Sequence, residues 1–206
     1  MLKLGRLGIV TELQERIVHE SLRLFSLKGF LSTSVSDIME VANTSKGGFY
    51  NHFSSKEDLF FQVLQEARRI WRERVLFGLD EIESPTGKVQ KLLSNYRDRY
   101  LKDSENFPGG CIFVTFSVEL DDQLPHLCEQ VNEGFVGLKG LLRKLLDEGK
   151  AIGELGDTVD TSAITEMLFA GMLGTSVIYG VDKSPGCLDD SINALIHYLE
   201  QLRKST

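Results

Sequence analysis

The chain has 206 residues, 42% hydrophobic and 26% charged, with a net charge of −7 at pH 7. That balance suits a soluble globular protein of one or two domains and excludes one that coats nucleic acid indiscriminately. No run of about 18 apolar residues occurs, which reads against a membrane-spanning helix. The opening MLKLGRLGIVTELQER is too soon charged for a secretory signal. Cys111, Cys128 and Cys187 are odd in number and widely spaced, which suggests free thiols in a reducing, bacterial-type cytoplasm. The charge is uneven. Residues 1–56 hold seven Lys/Arg against five acids, +2, leaving −9 for the remainder. A mildly basic head on an acidic body fits a protein that touches DNA with one end.

In chain order, residues 12–28 place Leu13, Ile17, Ser21, Leu24 and Phe25 on one helical face and stop at Gly29. Ser34 and Asp37 have capping-box spacing ahead of a two-turn helix, 35–42. After a break at Asn43 and Thr44, a second short helix is predicted over 45–52. Ser54 with Glu57 reads as another capping box, opening a long helix to about Leu79. Helices are predicted over 88–102, 123–149, 158–180 and 188–204. The stretch CIFVTFSVEL, 111–120, is rich enough in β-branched and aromatic residues for a strand. With no partner strand nearby, a buried helix is the better reading. The expected fold is all-α: a three-helix head over 1–56 and a helical bundle over 57–206.

Two short helices joined by a tight turn, behind a packing helix, form the helix-turn-helix pattern. The first would cross the DNA backbone and the second would lie in the major groove. Gly47 and Gly48 weaken a helix by about 1 kcal/mol each relative to alanine, so close approach of backbone to the duplex is the expected benefit. Lys46, Tyr50, His52 and Lys56 offer donors to phosphates, while Thr44, Ser45, Lys46, Gly48 and Asn51 are left for the bases. Thr33 and Ser36, at the start of the pair, complete the contact set. Phe49 and Phe53, four apart, read as core that fastens the second helix.

The segment TSVSDIMEVANTSKGGFYNHFSSKEDLF, residues 33–60, resembles the DNA-binding domain of the TetR/AcrR repressors, nearly position by position. The segment IVHESLRLFSLKGF is similar to that family's first helix. Departures fall at Thr44, Gly48 and Asn51, where valine, threonine or serine, and tyrosine, histidine or arginine are common in the family. Those are specificity positions, so no operator sequence carries over. The resemblance implies a homodimeric repressor that leaves a palindromic double-stranded operator when a small-molecule inducer binds the C-terminal domain.

After residue 60 the resemblance thins, although GKAIGELGDTVDTSAITEMLFAGMLG is similar to the family's passage into its dimerising helices. Gly171 and Gly174 would let a partner helix approach, and Ile192, Leu195, Ile196 and Leu199 lie on one apolar stripe. A four-helix dimer interface is expected, or else a stripe packed inside one subunit. Phe107, Cys111, Phe113, Phe116, Phe135, Met167, Phe169 and Tyr179 could line a ligand pocket; equally they could be solid core. Cys111 follows Pro108-Gly109-Gly110 near a predicted helix N-terminus, where a lowered thiol pKa would favour an electrophile- or oxidant-sensing role. Beside Ile112 and Phe113 it could equally be an inert small hydrophobe. PGGCIFVTFSVEL is similar to a subgroup of the family that senses through a cysteine near this point.

No G-x-S-x-G, H-E-x-x-H, G-x-G-x-x-G or P-loop occurs, so an enzyme is not expected. His126 and Cys128, with Cys187, are the nearest approach to a metal site and lack a supporting cluster, so neither metal nor cofactor is expected. The rival reading is a helical ligand- or metal-binding protein whose helix-turn-helix segment only packs.

Overall fold

A computed structural model describes residues 11–204. Among them the chain is helical throughout, with one isolated antiparallel bridge, Leu155 to Arg203. The stretch 111–120 is therefore helical, as its lack of a partner strand suggested. Helix α1 (Glu12–Lys28) is capped by the Thr11 hydroxyl, which accepts from the Gln14 N–H, and ends at Gly29 with φ 80°. Helix α2 (Val35–Val41) opens on a true capping box between Ser34 and Asp37. Helix α3 (Lys46–Tyr50) is capped by Ser45 and ends sooner than expected, with Asn51 as its last cap.

Helix α4 (Lys56–Val75) departs from the sequence reading at both ends. Its N-cap is Ser55, which accepts from the Asp58 N–H, while Asp58 in turn accepts from the Ser54 N–H at 2.8 Å. The acid that closes the cap is thus Asp58, not Glu57. At the other end the helix stops at Val75, and the Asn95 amide donates to the carbonyls of Val75 and Phe77 at 3.0 and 2.8 Å. A partner twenty residues away in sequence satisfies carbonyls that a helix end leaves open.

The body comprises α5 (Pro85–Asn95), a π-helical turn (Tyr96–Leu101), α6 (Ile112–Leu120), α7 (Pro125–Ala151), α8 (Thr161–Asp182) and α9 (Pro185–Gln201). Head and body share one core. Phe25 and Phe30 from the head, Phe60 on α4 and Phe116 on α6 interlock at centroid distances of 4.9 to 6.1 Å. Edge-on aromatic pairs of this kind add about 0.5–1.5 kcal/mol each beyond their burial. The loop before α6 presses on the end of α1: a side chain on Gly109 would overlap the Ser26 carbonyl, and the Gly109 N–H donates to the Ser26 hydroxyl at 2.9 Å.

Helix α8 is, by length and composition, apolar enough to cross a bilayer, which the search for an unbroken apolar run did not register. In the fold it lies against α7 and α9. Its surplus of apolar surface faces outward, where Val177, Ile178 and Val181 are exposed.

Candidate DNA-binding face and ligand cavity

Helix α3 is short, and its hold on the head comes from two rings. Phe49 and Phe53 are fully buried, their centroids 5.5 Å apart. That anchoring turns Ser45, Lys46, Tyr50 and Asn51 to the surface, with Thr44 and Gly48 half-buried and Ser36 exposed on α2. His52 is half-buried, its Nε2 3.4 Å from the Thr11 hydroxyl. These eight expected contacts therefore share one side of the head. The remaining two turn inward. Thr33 is buried and donates its hydroxyl to the Gly29 carbonyl at 2.6 Å. Lys56 Nζ donates to the carbonyls of Phe30 and Thr33, both at 2.8 Å, and stands 4.2 Å from the Phe30 ring centroid. Burial pushes its ammonium below the usual lysine range, with Glu119 and Glu57 opposing. An ammonium bound to two internal carbonyls is a structural tie, which corrects its expected role as a phosphate donor.

Gly48 also has a reason other than the expected one. An added Cβ would collide with the Thr44 hydroxyl, whereas one on Gly47 would meet only the Ser45 hydroxyl, at an ordinary contact of 3.8 Å. Arg16, which the sequence reading did not single out, is exposed at the helix-turn-helix turn and donates through Nε to the Ala42 carbonyl. Asp37 secures the start of α2. The N–H and then the hydroxyl of Ser34 hold its carboxyl below the usual aspartate value of 3.8. A native pKa lowered in this way contributes stability that is complete above the unfolded value and lost as pH falls through the native one. Asp37→Asn should therefore flatten the stability-versus-pH curve only below about pH 4. Urea midpoints measured at pH 3 and pH 6 check this; an equal change at both would mean the box does not titrate.

In the body, a cavity of about 420 Å³ opens between α4, the π-turn, α6, α7 and α8. Of the eight expected lining residues, Cys111, Phe113 and Phe135 reach it. Phe107 and Phe116 are buried core instead, held against Tyr100 and Phe60. Met167, Phe169 and Tyr179 are half-buried and lie outside the lining; Phe169 packs edge-on against the Phe135 ring, 5.4 Å between centroids. The wall that the sequence reading missed comes from α4 (Arg68, Trp71, Arg72) and α7 (Glu133, Gly134, Gly137).

Cys111 occupies the N-cap position of α6, and its surroundings match the buried one of the two chemistries weighed for it. It is 7% exposed and accepts from the Tyr100 hydroxyl at 3.4 Å. Burial pushes its thiol up, and hydrogen bonds from Tyr100 and from the N–H groups of Val114 and Phe113 only partly offset this. Desolvation outweighs the helix terminus, so the thiolate that would react is scarce. N-ethylmaleimide applied to the native protein should label half-buried Cys128 and Cys187 at least about tenfold faster than Cys111. Mass mapping of a time course tests this, and Cys111 labelling first would restore it as a reactive thiol. His126 pairs with Glu57 at 3.0 Å, and among the described residues no group of three metal-ligating side chains converges.

An exposed short helix behind a helix-turn-helix turn, joined through one core to a helical bundle, defines the class of DNA-binding regulators built as a helix-turn-helix head on a helical body. Residues 17–63 match the family of bacterial regulatory proteins, tetR family, and residues 85–195 match the tetracyclin repressor-like C-terminal domain. The chain belongs to the TetR family of transcriptional regulators, which are DNA-binding proteins and not enzymes. It is similar to the HTH-type transcriptional repressor DhaR of Mycobacterium sp. (strain GP1), 25% identical over 190 residues that cover 92% of this chain and 93% of that protein. It is also 25% identical, over 193 residues, to the repressor NemR of Escherichia coli K12, covering 89% of this chain and 90% of NemR. A TetR regulator from Chloroflexus aurantiacus J-10-FL superposes with a TM-score of 0.87 at 29% identity, over 95% of this chain and 98% of that one.

Proposed function

We propose that the protein is a homodimeric repressor that binds a palindromic operator and releases it when a small molecule enters the cavity. The reading divides the chain into a DNA-binding head, 1–56, and a ligand-binding and dimerising body, 57–206. The supporting observation is that two of the helices that wall the cavity also fasten the head that carries the DNA-binding face. Helix α4 carries Lys56 and Phe60 at the head and Arg68 and Trp71 at the cavity. Helix α6 begins beside the cavity with its N-cap Cys111 and Phe113 and carries Glu119 in its last turn, whose carboxylate accepts from the N–H groups of Phe30 and Leu31, both at 2.7 Å. The turn between α1 and α2 is thus gripped from both sides: Glu119 takes its N–H groups and Lys56 its carbonyls.

On this reading two recognition helices enter successive major grooves about 34–36 Å apart. Lys46, Tyr50 and Arg16 hold phosphates, and Thr44, Ser45 and Asn51 face base edges. A ligand that fits better when the heads stand apart lowers operator affinity by its differential binding to that state. DNA as partner puts this work in the cytoplasm. The dimer forms on the outward apolar face of α8 and α9. That face is not the one the sequence stripe suggested: Ile192 and Leu199 are fully buried inside the subunit, and Leu195 lies on Gly171, where an added Cβ would come within 2.8 Å of it. Ile196 is half-buried, while Gly174 is open, beside the exposed Val177, Ile178 and Tyr198.

Fluorescence anisotropy of a labelled duplex from the gene's own upstream region, titrated at several salt concentrations, tests the reading. Lys46→Ala should weaken binding to operator and to unrelated DNA alike and flatten the salt slope by about one unit. Tyr50→Phe should weaken both while leaving the slope unchanged. Absence of any salt-sensitive binding would favour the rival, a helical ligand-binding protein with a head that only packs.

A further inference from the structure

The cavity carries a chemical preference beyond its apolar walls, and the inference rests on the reading above that it is a ligand site. Its aromatic surfaces are Trp71, Tyr96, Phe113 and Phe135. Its charged lining is two arginines, Arg68 and Arg72, against one acid, Glu133, so the lining is positive by one. Arg68 is the inner of the two. Its Nη2 donates to the Gln130 carbonyl and stands 3.5 Å from the Glu133 carboxylate, which fixes the guanidinium. Its Nε, buried, has no hydrogen-bond partner among the described residues. A buried donor left unpaired is destabilising, and a guanidinium N–H is best met by an oxyanion.

On α7, the residue beside this donor carries no side chain. Gly134 lines the cavity beside Arg68, and a Cβ there would stand 3.8 Å from Nε. Gly137, one turn on, also lines the cavity, and a Cβ there would meet nothing within 4 Å. Glycine lowers the stability of a helix interior, and neither position is explained by close packing inside the subunit. Together they leave part of the α7 wall without side chains.

The geometry points to a small aromatic monoanion, an arenecarboxylate or phenolate, as the ligand class. Its ring lies among Trp71, Tyr96, Phe113 and Phe135, and its oxygen accepts from the Arg68 guanidinium, which turns to bring its unpaired Nε to the cavity. At about 420 Å³ the cavity falls toward the small end of ligand pockets, roughly 300–1,000 Å³.

Trp71 is the only tryptophan in the chain, so its fluorescence reports on this site alone. The probes are 4-bromobenzoate, its methyl ester and 4-bromobenzylammonium, whose bromine quenches indole on contact. The expected result is saturable quenching of the full-length protein, with the carboxylate at least about tenfold tighter than either analogue. Arg68→Gln should erase that preference. Gly134→Ala, which keeps the charge but sets a methyl beside Nε, should weaken the carboxylate and spare the ester, and it answers the question if Arg68→Gln does not fold. Ester or ammonium binding as tightly as the carboxylate would overturn the ligand class while leaving the cavity reading in place. So would Gly134→Ala weakening all three alike. Saturable quenching by none of the three at low millimolar concentration would overturn both.

Discussion

Ile178→Arg should give a folded monomer that scarcely holds its operator. Ile178 is about half exposed on the subunit, beside Val177 and open Gly174, so an arginine there meets no crowding within the protomer. In a dimer built on this face the new charge would be desolvated without a partner, at a cost of several kcal/mol. A monomer reads one half-site and loses the gain of tethering the second, typically 10²–10⁴ in affinity. Sedimentation velocity at micromolar concentration should show a monomer with unchanged helicity, and anisotropy should show operator affinity down by at least about a hundredfold. Leu195→Arg is the informative contrast. Leu195 sits on Gly171 at the α8–α9 junction within one subunit, so that change should lower the unfolding midpoint first. A persistent Ile178→Arg dimer would move the interface away from α8.

The second large effect is expected at the turn between α1 and α2. Glu119→Ala removes the acceptor of two backbone N–H groups, and hydrogen bonds to a charged group contribute about 1.5–3 kcal/mol each. The carboxylate is part of a coupled set, so a loss of about 3 kcal/mol overall is expected rather than the full sum. Lys56→Met removes the donor to the other side of the same turn. Because both ties hold one short segment, and Glu119 also acts on the Lys56 ammonium, the double variant should lose less than the two singles added together. Urea unfolding of the four proteins gives the coupling directly. Strict additivity would mean the two charges hold the turn independently.

Much of the head was legible because its signals are local. The Ser34 and Asp37 spacing, the Gly29 stop and the Phe49 and Phe53 interval each lie within a few residues. What escaped needed neighbours from elsewhere in the chain. Lys56 has the sequence context of a phosphate contact, and only the folded turn at 30–33 supplies the carbonyls that claim it. Within the long helix predicted to about Leu79, EARRIWRER gives no local sign of a pocket; the packing of α7 and α8 makes Arg68 and Trp71 a cavity wall. On α9 the apolar stripe was plain, but its division between the subunit interior and the outward face depends on where α8 lies. Cys111 shows the limit from the other direction: position favours a reactive thiol, and burial by residues from elsewhere in the chain reverses it.

The unbroken course of α4 sets how much motion the proposed switch requires. A helix of 20 residues spans about 30 Å, and Arg68 lies about 18 Å from Lys56 along it, at about 1.5 Å per residue. Treated as a stiff rod, it cannot absorb a tilt imposed at the cavity; it passes the tilt on, multiplied by that length. Roughly five degrees at Arg68 becomes roughly 1.5 Å at the head. In a symmetric pair the two displacements add, so the separation of the recognition helices changes by roughly 3 Å against a groove repeat of about 34–36 Å. On the proposed reading, a ligand in the cavity would need neither to unfold the head nor to reach the DNA, because a rotation of a few degrees, carried along a single rod, would shift the two readers by roughly a tenth of the groove repeat.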